Sequence, residues 1–151
     1  MAAQITGGIA GVMAANAMFD VPVIEISQTA RSGGHLWLAE GIATLGLLLV
    51  IFGIVRSRRS SVVAFAVGGY IAAAYYFTSS TSFANPAVTI ARMLTDTFAG
   101  IEPGSVPGFL AAQLAGTAIA AGLIHLLYPT IGEVADHVVL PHEPARRAAA
   151  P

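Results

Sequence analysis

The side chains with chemistry to offer are few, and most fall between positions 40 and 96. Thr78-Ser79-Ser80-Thr81-Ser82 is a hydroxyl-rich run, and Asn85-Pro86-Ala87-Val88 follows it and opens an apolar stretch to Leu94. Asn ahead of Pro starts a helix, with the Asn side chain as N-cap and Pro at the first helical position. The stretch allows a helix of roughly ten residues, about half of what a bilayer crossing needs. A short apolar helix between two spans can dip into the membrane and return. Non-helical backbone is tolerated at that depth only where protein buries it or water lines it. The pattern therefore implies a water-filled path. Glu40 is the one charge in the apolar run Leu36 to Val55. An ionised carboxylate costs ~2.5–3.5 kcal/mol near the bilayer centre and less toward the interface, so Glu40 needs donors around it. Arg92 and Asp96 are four apart, so a continuous helix would put them on one face as an ion pair at the outer rim.

Catalytic chemistry is harder to find. The chain has no Cys, which excludes disulfides, thiolate metal sites and a Cys nucleophile. His125, His137 and His142 lack helical metal spacing, and His35 beside Trp37 fits an interfacial anchor. No nucleophile–base pair, phosphate loop or metal-ligand cluster is visible. An enzyme is the least expected class, and neither a metal nor a cofactor is anticipated.

The elements that must hold these residues follow from composition. Of 151 residues, 56% are hydrophobic and only 10% charged, with a mean hydropathy of +0.75. Soluble domains carry about 25% charged residues, so this chain cannot cover a water-facing surface. It reads as an integral membrane protein embedded in lipid. The net charge of −1 offers no basic face for nucleic acid. Four apolar stretches approach or reach membrane-spanning length: Ala2 to Phe19, Leu36 to Val55, Val62 to Thr78 and Val106 to Tyr128. The first is not a secretion signal, because it lacks a basic start and is followed by Asp20 and Pro22. Polar connectors run from Asp20 to Gly34 and from Arg56 to Ser61. If the four spans alternate, Arg56, Arg58, Arg59, Arg146 and Arg147 share one side, with Arg31 and Arg92 opposite. Five against two puts both termini in the cytoplasm. Gly7, Gly68-Gly69 and Gly116 suggest close packing between helices.

An internal repeat is also legible. Ala2-Ala3-Gln4-Ile5-Thr6-Gly7 aligns with Ala111-Ala112-Gln113-Leu114-Ala115-Gly116, and Phe19 then meets Tyr128. In that register the first and last spans hold equivalent places in two repeats. The second repeat is complete, whereas the first is represented by its final span alone.

Asn85-Pro86-Ala87, placed between two spans, and Ala39-Glu40-Gly41 with Thr44 at the start of an apolar run to Gly53 carry a family signature. Over about residues 2–128 the chain resembles the aquaporin and glycerol-facilitator superfamily, the major intrinsic proteins. The match is to the C-terminal half plus the preceding third helix. The resemblance implies an all-α membrane protein in which two half-helices meet at Asn-Pro-Ala motifs and line a pore. It also implies tetramers with one pore per subunit. Here it implies four transmembrane helices plus one re-entrant half-helix within 1–128, an incomplete aquaporin-like domain, while the Pro-, Ala- and charge-rich composition of 129–151 predicts a disordered cytoplasmic tail. A bacterial inner-membrane location is expected.

Under that resemblance Asn85 turns its amide NH₂ to the pore, Pro86 and Ala87 complete the motif, and Glu40 accepts hydrogen bonds from the half-helix loop. The positive end of the half-helix adds to the Asn85 donor and disfavours cations and relayed protons. Val88 stands at the selectivity constriction, where the family usually has Arg. Ser82 and Ala73 line the same level. Small residues there imply a wider filter, similar to a bacterial subgroup associated with arsenic-resistance genes and thought to pass arsenite or methylated arsenicals. The implied activity is passive passage of water and small neutral solutes such as glycerol or undissociated arsenite. The competing expectation is a truncated, non-conducting remnant or scaffold that needs a separate N-terminal half chain.

Overall fold

The computed structural model describes residues 2–129. The expected tail beyond Pro129, with His137, His142, Arg146 and Arg147, lies outside the described residues, as does Met1. Among the described residues five α-helices run in chain order: α1 Ala2–Met18, α2 Gly34–Arg56, α3 Val63–Phe77, α4 Pro86–Ala91 and α5 Val106–Leu127. Short 3₁₀ turns at Ser60–Val62, Arg92–Leu94 and Pro103–Ser105 flank α3, α4 and α5. Among the described residues two helices are long and apolar enough to cross a membrane, α2 and Pro103–Leu127, and most of each faces outward. At 1.5 Å rise per residue, the 23 residues of α2 extend to about 34 Å. Among the shorter helices, α1 has 17 residues and α3 has 15. Large apolar side chains such as Phe65 and Tyr76 on α3 and Leu126 on α5 are exposed. That is an inverted arrangement for water and the ordinary one for lipid.

Helices approach closely where glycine permits. A Cβ at Gly116 would strike the Gly41 carbonyl, so α2 and α5 cross there backbone to backbone. Gly108 receives the Trp37 indole, and Gly46 lies under the Tyr70 ring, whose hydroxyl donates to Ala43 O at 3.0 Å. A Cβ at Gly8 would lie only 3.1 Å from the Ala91 methyl, so α1 packs closely on α4 there. Gly7, Gly68 and Gly69 do not pack as the sequence suggests, because each has open space where a side chain would project. The α3 helix meets α2 through its Tyr70 face, which leaves Gly68-Gly69 on the exposed side.

The half-helix is shorter than expected. After six α-helical residues it tightens into the 3₁₀ turn, and Thr95 is extended at φ −142°. The reason lies in the first connector. Ser27 N donates to Met93 O at 2.9 Å, and Glu25 N donates to Leu94 O at 3.2 Å. The buried Asn16 amide reaches Leu94 O as well, and Thr95 Oγ1 donates to Asn16 Oδ1 at 2.7 Å. Carbonyls that would continue the helix are thus used across the chain. The Arg92–Asp96 pair consequently does not form. Asp96 has left the helical face and accepts from Gln28 N at 2.8 Å, while Arg92 turns to Tyr75.

Candidate pore-lining site

The loop before the half-helix holds an unfavourable backbone. Thr81, Ser82 and Ala84 have φ of 62°, 48° and 49°. Left-handed conformations are uncommon for residues with a Cβ, and for a β-branched Thr they are outliers. Such strain persists only where the surroundings over-determine it. Here the carboxylate of the fully buried Glu40 does so, accepting from Phe83 N at 3.2 Å and from Ala84 N. Gln113 on α5 donates to Glu40 Oε1 and to Thr89 Oγ1, each at 2.8 Å. Thr89 Oγ1 in turn donates to Asn85 O at 2.9 Å. One polar chain therefore links α2, α5, the loop and the first turn of the half-helix.

Asn85 caps that turn. Its backbone is extended, and its Oδ1 accepts from Ala87 N at 2.8 Å, with Pro86 at the first helical position. With the oxygen engaged, the Nδ2 group has no partner among the described residues and points its donors elsewhere. Val88 is half-buried and packs on a cluster of Phe83, Ile101, Val106 and Phe109. Together with Ala91, Arg92 and Thr95 it also lines a cavity of about 540 Å³ between the half-helix and Gly8, Val12 and Asn16 of α1. Ser82 is 2% exposed and its Oγ has no hydrogen-bond partner among the described residues. Ala73 is exposed on α3, one residue from the buried Ala74.

Sequence reasoning missed Arg31, which it used only for counting charge. This residue, 6% exposed, is the hub of the outer loops. Its Nε donates to Gly100 O at 2.6 Å, Nη1 to Ser80 O at 3.3 Å and Nη2 to Phe98 O. Its Cζ lies 5.1 Å from the Phe83 ring centre. Burial, and then the Arg92 charge nearby, hold its guanidinium below the usual pKa. Gln113 had a readable signal, since it is a polar side chain within an apolar helix and such residues seek partners. Arg31 had none, because nothing in a connector announces which arginine will be buried.

The Major intrinsic protein family model matches residues 38–147, well over half of the chain. Aquaglyceroporin AqpS of Rhizobium meliloti (strain 1021) is 49% identical over 125 residues, covering 83% of this chain and 53% of that protein. The chain thus spans about half the length of the curated relative it matches. No solved structure matches. The matched family comprises membrane channels, not enzymes, and the relative is bacterial. With its outward-facing apolar helices and this match, the chain is a multi-pass membrane protein of bacterial type, and it belongs to the major intrinsic protein family.

Proposed function

We propose that the chain builds one half of a passive conduit for water and small uncharged solutes of glycerol size, undissociated arsenite included. The observation that carries this is the division of labour within Asn85. Its Oδ1 is held by the half-helix, so its Nδ2 is fixed as a donor to whatever passes. Glu40, Gln113 and Thr89 hold the loop and the helix start that orient it. Pro86 and Ala87 complete the turn, and Val88, with the small Ser82 and Ala73, makes a constriction wider than one built around Arg. In this reading α1, α2, α3 and α5 span the bacterial inner membrane, α4 re-enters, both termini are cytoplasmic, and four copies assemble.

One observation favours a requirement for a further half. The wall formed by α1 and the half-helix opens onto a cavity instead of closing against protein. A counterpart half-helix from a separate N-terminal half would complete the path. Without it the chain is a non-conducting scaffold. The test is to reconstitute the full 151-residue chain with the N-terminal half of the Rhizobium meliloti relative and record stopped-flow glycerol uptake into vesicles. Uptake should appear with both halves and vanish with Asn85→Ala. Val88→Arg should reduce glycerol uptake more than water flux. Uptake indifferent to Asn85→Ala overturns the pore assignment, and an unchanged glycerol-to-water ratio in Val88→Arg overturns the filter assignment.

A further inference from the structure

The buried face of α5 includes Gln113, Gly116, Ala120 and Ile124. At Gly116 the α2 backbone crosses, and Gln113 reaches the Glu40 carboxylate of that helix. In the register that aligns residues 2–7 with 111–116, these four positions fall on Gln4, Gly7, Gly11 and Ala15 of α1. All four are exposed. A Cβ at Gly7 or Gly11 would meet nothing, whereas one at Gly116 would strike the Gly41 carbonyl. Equivalent residues are thus covered on one helix and bare on the other. At about 100° per residue the stripe lies a quarter turn from Gly8 and Asn16, which pack toward the half-helix and its end. Gly11 and Ala15 also border the cavity beside Val88 and Ala91.

We propose that the Gln4, Gly7, Gly11 and Ala15 face of α1 is the docking surface for the completing half, and that its occupant is an apolar helix carrying a carboxylate opposite Gln4. The assignment rests on the reading above for the existence of that half. What α2 gives α5 defines the chemistry of the occupant. It brings a backbone that touches at a small residue, and an acceptor for an amide NH₂. Lipid is as apolar as the helices, so close approach at small residues and polar pairs decide which helices associate. A second copy of α1 would set amide against amide and bring no carboxylate. A helix on this stripe also covers the cavity beside the half-helix, because Gly11 and Ala15 belong to both.

The test reads association separately from conduction. The chain has no Cys, so Ser57→Cys, at an exposed position after α2, takes a single dye. Energy transfer to a labelled N-terminal half of the Rhizobium meliloti relative is titrated in vesicles, and glycerol uptake is recorded on the same preparation. Gly7→Leu should weaken association roughly tenfold, equivalent to about 1.4 kcal/mol, with the unfolding midpoint of the chain alone unchanged. Gly68→Leu, at an exposed position of α3, should associate as the unsubstituted chain does. Gln4→Glu should weaken association more than Gln4→Met, because a charged acceptor then faces a carboxylate. Association untouched by Gly7→Leu, or weakened equally by Gly68→Leu, overturns the docking surface. Gln4→Glu that associates at least as tightly as Gln4→Met overturns the carboxylate. Pairing of the chain with itself that Gly7→Leu abolishes gives the face to a second copy and overturns the assignment. Halves that associate through this face and pass no glycerol overturn the pore reading and leave the docking surface standing. If Gly7→Leu cannot be recovered folded, Gly11→Leu decides in its place, since it too projects into open space.

Discussion

The Gln113 amide nitrogen lies 2.8 Å from Glu40 Oε1 and 2.8 Å from Thr89 Oγ1, so a single side chain on α5 joins the buried carboxylate of α2 to the half-helix. Both contacts call for donors on the same atom, which fixes how the amide is oriented. Glu40 meanwhile receives two backbone N–H groups from a loop that contains three left-handed non-glycine residues. The carboxylate is the part of the protein that makes that backbone affordable.

Glu40→Gln should therefore destabilise the protein even though size and shape are kept. The carboxamide has one acceptor where three donors converge, and its NH₂ must face another donor. Leaving one buried donor unmet costs about 1–3 kcal/mol. Thermal unfolding in detergent should show a lowered midpoint for Glu40→Gln. An unchanged midpoint would mean that the loop is held by something else.

Glu40 illustrates how far the sequence can be read. A lone carboxylate in an apolar run must have donors, which is a statement about solvation that needs no coordinates. Which donors it has is a different matter, because Phe83 and Ala84 are more than forty residues away. The Asn85 cap was equally legible, since Asn-Pro is a local signal and the cap forms within two residues. Arg92 and Asp96 were misread for the converse reason. Their pairing assumed that the helix continues, and it stops because Glu25, Ser27 and Asn16 take carbonyls at its end. Helix ends set by distant partners leave no local trace.

Arg31→Met should loosen the outer loops. The substitution keeps a side chain of similar length but leaves the carbonyls of Ser80, Phe98 and Gly100 without their donor. Hydrogen bonds to charged groups contribute about 1.5–3 kcal/mol each, so the loss should exceed that of Glu40→Gln. Arg31→Lys should not restore it, because one ammonium cannot reproduce a planar fork directed at three separate carbonyls. Hydrogen exchange at Gly100 and Ile101 is the direct readout. Unchanged protection there would show that the loops are held without Arg31.

Glycine substitutions should separate packing from open surface. At Gly116 even Ala places a methyl against the Gly41 carbonyl, and overpacking of this kind typically costs 1–3 kcal/mol. Gly68→Ala meets nothing in the protein and should be neutral, or stabilising by up to ~1 kcal/mol through helix propensity. Unfolding midpoints of the two variants in detergent decide the matter. If Gly68→Ala is the more damaging, α3 has a packing partner on that face, such as a neighbouring copy.

The 151 residues by themselves should not conduct. They contain one Asn-Pro-Ala and, among the described residues, one half-helix, and a path of the proposed kind needs two, entering from opposite sides. Could a second copy supply the other? It would have to insert upside down, and dual insertion requires a nearly balanced distribution of arginines. With the spans alternating as proposed, five arginines against two are not balanced. A parallel pair puts both half-helices on the same side, which leaves the lower half of the path unlined and the Asn85 donors facing a closed interface. Local order need not suffer, because the Glu40–Gln113–Thr89 chain lies within one copy. The purified chain should thus unfold cooperatively in detergent, yet shrink vesicles in a stopped-flow osmotic test no faster than empty lipid does. Water permeability above that of empty vesicles, abolished by Asn85→Ala, would mean that one half-helix lines a complete path.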